Sequence, residues 1–204
     1  MFKAIGAVRD EVLKRAAGGE ITLEIVTKVF TDITVLDHIV FVGYEAPAGN
    51  PILGQFTRWS QHPGVYAGAE TTVEIRYANN LSEDWLRLVI CKELCHALED
   101  PEGSHDVSNS AITKLVESFA LLSAGKAQDR EDGPFVNELL AVVAAGEILL
   151  PVVLRRRMLA EAGGVLSAAA IKKIAEDYKI PYAYAVYAFN PSCIQMVEWL
   201  LEQQ

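Results

Sequence analysis

The chain changes character at Asn79-Asn80. Before that point its apolar residues fall in β-branched and aromatic runs broken by turn residues. After it they recur at helical spacing. A chain patterned this way is expected to fold as α+β, with one small sheet and a set of helices. The run ITVLDHIVFVGY, from Ile33 to Tyr44, precedes the turn-rich APAGNP and predicts a strand and its loop. A second extended stretch is expected near Ile52–Trp59. A third, TTVEIRY, places Val73, Ile75 and Tyr77 at alternate positions, the mark of a strand buried on one face. These segments make a small sheet, expected to be mostly antiparallel.

Helices frame it. Phe2, Ile5, Val8, Val12 and Leu13 form an apolar stripe over residues 2–17 that stops at Gly18-Gly19. Ser82 is a candidate cap for a helix running to about Leu98, with Glu83 and Asp84 in its first turn and Trp85, Leu88, Val89 and Leu94 on its buried side. Another helix is expected over 106–124, then a polar loop over 125–134. A strongly apolar helix follows from about Phe135 to Leu150, stopped by Pro151. Three shorter helices are expected near 152–162, 167–179 (capped by Ser167) and 182–203, with Pro181, Asn190 and Pro191 as punctuation.

With 204 residues, 51% hydrophobic and 22% charged, the chain can close a real core. A formal net charge of -9 argues against a basic nucleic-acid surface. Between Glu83 and Glu138 there are 12 acidic and 5 basic residues, so most of the negative balance sits on one segment. The three cysteines, Cys91, Cys95 and Cys193, lie in apolar helical runs and suit a reducing compartment, so a cytoplasmic location is expected. The N-terminus is charged within its first turns, unlike a signal peptide, and no run of about 18 apolar residues predicts a membrane span.

The segment Cys91-Lys92-Glu93-Leu94-Cys95-His96-Ala97 carries the chemistry. Glu93 and His96 lie one helical turn apart, as the last Glu and His do in the zinc-peptidase pattern H-E-x-x-H. In that pattern two histidines four apart bind zinc, and the Glu takes a proton from the metal-bound water. Lys92 stands at the first histidine position. An ammonium has no lone pair and repels the ion.

The stretches EIRYANNLSEDWLRLVICKELCHAL (74–98) and NELLAVVAAGEILLP (137–151) together resemble the ImmA/IrrE family of zinc-peptidase-like proteins. The resemblance covers about residues 38–151. It implies a zincin-like domain over 1–151, including the N-terminal helix, with 152–204 as a C-terminal helical segment packed on it. It also implies Glu93 as general base, His96 as a histidine ligand and Glu138, thirteen residues before Pro151, as the carboxylate ligand. The first histidine ligand does not carry over, Val142 stands where the family often has Asn, and 100–134 is longer than the family pattern. Zinc is therefore expected to bind weakly or not at all, unless Cys91, Cys95, His105 or Glu117 replaces the missing ligand. Cys91 and Cys95 otherwise read as small buried side chains, and His38, His62 and His105 as ordinary histidines. Family members cleave or control repressor proteins. The leading expectation is a pseudopeptidase that regulates through a protein partner, such as a repressor, with no direct nucleic-acid or membrane contact. The alternatives are an active zinc-dependent endopeptidase using Glu93, and a structural or complex-forming protein of a phage or mobile element.

Overall fold

The structure, a computed structural model, describes residues 2–34, 36–46, 53–62, 64, 68–98 and 133–202. Among these residues it is α+β, with eight helices and a three-stranded mixed sheet. In chain order these are α1 (Phe2–Ala16), α2 (Leu23–Ile33), β1 (His38–Tyr44), β2 (Gly54–Gln61), β3 (Glu70–Ala78) and α3 (Glu83–His96). They are followed by α4 (Gly133–Leu149), α5 (Val152–Glu161), α6 (Ala168–Tyr178), α7 (Tyr182–Ala188) and α8 (Pro191–Glu202). The expected helix over 106–124, the loop up to residue 132, and with them His105 and Glu117, lie outside the described residues. No described helix is long and apolar enough to cross a membrane.

Three differences from the sequence reading have physical causes. Ile33 ends a helix instead of opening a strand. Thr22 caps α2 by accepting a hydrogen bond from the Ile25 amide, and Val26, Val29 and Phe30 recur on its buried side. The strand begins only at His38. The sheet is also mixed, with strand order β1-β3-β2. β2 and β3 form an antiparallel pair with Phe56 opposite Ile75, while β1 lies parallel to β3 with Phe41 opposite the same Ile75. Local patterning fixes which face a strand buries but not which neighbour it takes. Finally, the segment after Pro181 is two helices. The Asn190 side chain accepts from the Ser192 amide, and Pro191 opens α8, so the break falls where a helix start is locally satisfied.

Period two on β3 holds at Val73 and Ile75, which are fully buried, while Tyr77 is half-buried and Thr72 and Ala78 of the opposite parity are buried too. Val73 and Ile75 meet Leu88, Val89 and Leu94 of α3, and this core continues through Ala144, Ala145 and Ile148 of α4 to Ile5, Val8 and Val12 of α1. Each Val, Leu or Ile among them contributes roughly 1.5–3 kcal/mol on burial.

Into this core α4 brings Glu147, which is fully buried. Its Oε2 accepts from Arg155 Nη2 at 2.7 Å and from the Val152 amide at 2.8 Å, and its Oε1 lies 3.1 Å from Arg9 Nη1. Arg155, equally buried, also donates to the Ala188 carbonyl at 2.9 Å. One carboxylate thus ties α1, α4 and α5 together, and its arginine reaches α7. Beside it, Gly146 is required: an added Cβ there would sit 1.4 Å from the Tyr184 hydroxyl.

Removing one partner of a buried pair strands the other charge. Arg155→Met is expected to lower unfolding free energy by about 3 kcal/mol in urea denaturation. Arg156→Met, which removes the surface pair with Glu198, should leave the urea midpoint nearly unchanged.

Candidate functional site

α3 is a central helix. Every residue from Arg87 to Ala97 is buried, because the sheet, α2 and α4 enclose it. A helix so enclosed carries its polar side chains into the interior, where each needs a partner. Lys92 and His96, four apart, share one side of it, and Glu93 lies beside them. From α4, Glu138 faces the same point.

The four side chains meet. Lys92 Nζ lies 2.7 Å from Glu93 Oε1 and 2.7 Å from Glu138 Oε2, and His96 Nε2 lies 3.3 Å from Glu138 Oε1. Lys92 is 4% exposed, Glu93 2%, His96 3% and Glu138 1%. The structure therefore brings together Lys92, Glu93, His96 and Glu138, although Glu138 lies 42 positions after His96. Lys92 points inward, between the two carboxylates.

Burial works against every charge here. It alone would lower the Lys92 pKa, but the adjoining charges of Glu93 and Glu138 outweigh it and raise it above the ordinary lysine value. Burial would raise the Glu138 pKa, but a hydrogen bond from His96 and the Lys92 charge hold it below the usual carboxylate range. The ammonium and carboxylate forms sustain each other.

β2 covers this cluster through alternate residues. Gly54 sits so close that an added Cβ would lie 2.4 Å from Glu93 Oε1 and 2.6 Å from Val89 Cγ1, so only glycine lets the strand pass. The Phe56 ring is 6.0 Å from that of His96. Arg58 donates to the carbonyl of Ala97, the C-cap of α3, with its guanidinium carbon 5.7 Å from the Phe56 ring centre. Tyr44, at the end of β1, has its hydroxyl pKa raised by burial and by the nearby Glu93 charge. Sequence reading missed these four. The signal for Gly54, Phe56 and Arg58 was their period-two spacing, which marks one face of a strand but not what that face meets.

The other candidates sit elsewhere. Cys91 is buried with its Sγ 3.7 Å from the Ala145 carbonyl, a close α3–α4 contact, and Cys95 is also buried. His38 is exposed near Glu70, and His62 is exposed.

Zinc is the group that the H-E-x-x-H pattern implies, and the donor set does not fit it. An ammonium stands at the first ligand position and already occupies one oxygen of each glutamate. His96 Nε2 is turned to the other Glu138 oxygen, Oε1, at 3.3 Å. Among the described residues no three His, Cys, Asp or Glu side chains form a group able to hold a metal ion. A scan of the chain against protein-family models finds no match, and comparison with curated proteins finds none.

Lys92→Met keeps length and deletes charge, so Glu93 and Glu138 lose their counter-ion. The expected cost is about 3 kcal/mol by chemical denaturation. Because the Glu138 pKa is depressed, its contribution is present above about pH 4.3 and lost as pH falls through the lowered folded value. The Lys92 pKa is raised, so its contribution is full below about pH 10.4 and lost as pH rises through the folded value. The difference between wild type and Lys92→Met should therefore shrink as pH falls toward and below about 4.3.

Proposed function

We propose that this chain is a pseudopeptidase: a zincin-like domain in which the Lys92 ammonium supplies the positive charge that zinc supplies in active relatives, and which acts by holding a protein partner instead of cutting it. The observation that carries this reading is the Lys92 Nζ at 2.7 Å from both Glu93 and Glu138.

The chemistry follows from what an ammonium can do. It neutralises two carboxylates that would otherwise repel each other. It has no vacant orbital, so it does not bind water, lower its pKa or polarise a peptide carbonyl as a metal does. Glu93, the residue expected to act as base, is engaged by Lys92 and covered by β2. The Lys92–Glu138 pair bridges α3 to α4 and so holds the two halves of the site without a metal. In keeping with the ImmA/IrrE resemblance of residues 38–151, the partner is a cytoplasmic regulatory protein such as a repressor.

Freshly purified protein should carry well under one zinc per chain by inductively coupled plasma mass spectrometry. Stoichiometric zinc surviving a chelator wash would overturn the proposal in favour of an active endopeptidase. Lys92→His restores the two histidines and Glu138 around Glu93, and should raise zinc affinity at least about tenfold. No gain would mean that the site is not a degenerate zinc centre.

A further inference from the structure

The edge of the sheet away from Gly54 and the candidate site is a second surface. Among the described residues β1 pairs on one side only, with β3, and no described strand lies along its other edge. Natural edges are usually protected by lysine, proline, a bulge or a covering element. The seven residues HIVFVGY contain none of these side chains, and their register with β3 is unbroken from His38 to Tyr44. Val40 is 42% exposed and Phe41 39%. Phe41 also opens into a cavity of about 560 Å³ between α2 and the sheet, lined by Leu23, Thr27, Tyr77 and Ile90, with Glu24 and Lys28 among its polar lining. An unprotected strand edge beside an apolar cavity is how β-strand addition works: the backbone ladder gives affinity and a pocket reads every second side chain.

Charge decides the occupant. Asp37 and Glu45 stand at the two ends of β1, both exposed. In the antiparallel register that pairs all of β1 with a second copy, centred on Phe41, each Asp37 would face the Glu45 of the other copy. Like charges directly opposite are destabilising. A strand with cations at both ends turns the same two positions into favourable pairs, and the net charge of -9 attracts it.

We propose that β1 binds an extended segment of a partner protein by strand addition. The segment is β-branched and apolar over about the length of β1, carries Lys or Arg just outside each end, and seats one bulky apolar side chain in the cavity beside Phe41. This inference uses a surface that the pseudopeptidase reading does not, and stands or falls apart from it.

The test is fluorescence anisotropy of the full chain with a labelled synthetic peptide, KRVTVFVTKR. Saturable one-to-one binding is expected. The peptide with the same core and Glu at all four flanking positions should bind at least about tenfold more weakly. N-methylation of alternate amides along one edge of the peptide should abolish binding, while methylation along the other edge leaves it intact, since only one edge meets β1. Val40→Lys should weaken binding about tenfold at an unchanged thermal midpoint. Should that variant fail to fold, the methylated peptides still decide the matter on the wild-type chain. No saturable binding, or binding indifferent to methylation of either edge, overturns the proposal. So does sedimentation showing a dimer of the wild-type chain that Val40→Lys dissociates, because the occupant would then be a second copy.

Discussion

Two glutamates from different helices point at one spot in the interior of this protein, and a lysine ammonium between them makes that arrangement tolerable. Burial opposes a charge on each of these groups, and the ammonium and the carboxylates offset that cost for one another. The cluster is better understood as relief of repulsion than as a large stabilising gain, since three charges lose their water to form it. Its value is positional. It fixes the approach of α3 to α4, and β2 can lie across it only because Gly54 has no side chain.

The same logic repeats on the other side of α4. Glu138 and Glu147 are nine residues apart, about two and a half helical turns, which puts them on opposite faces. Each carboxylate on this otherwise apolar helix is answered by a cation from a different element: Lys92 of α3 on one face, and Arg155 of α5 with Arg9 of α1 on the other. The helix is pinned from both sides. The first network is the candidate site, while the second joins the C-terminal helices to the core.

Much of this was legible in the sequence. Alternation at 73 and 75 and the helical stripes on α1, α3 and α4 come directly from the pitch of each element. So does the placing of Lys92 and His96 on one side of α3, because four residues make about one turn. Glu138 was reachable only through a resemblance that pairs two distant motifs, since nothing local connects residue 96 to residue 138. What the sequence hid are long-range choices. The parallel pairing of β1 depends on which neighbour a strand takes. α2 was obscured because its β-branched residues, Ile25, Val26, Thr27, Val29, Thr31 and Ile33, imitate a strand, while the Thr22 cap and the apolar side at Val26, Val29 and Phe30 make it a helix. Gly54 and Arg58 gave no sign of what they meet, because their partners are residues of α3 brought there by the fold.

The central claim is that Lys92 is a buried, charged group held by two carboxylates. Nitrogen-15 NMR of protein labelled at lysine tests it most directly, with Lys92→Arg used to assign the Nζ signal. The account predicts an ammonium whose protons exchange far more slowly than those of surface lysines and which remains protonated as pH rises past about 10.4, the ordinary lysine value. A Lys92 signal that exchanges and titrates together with the surface lysines would contradict it.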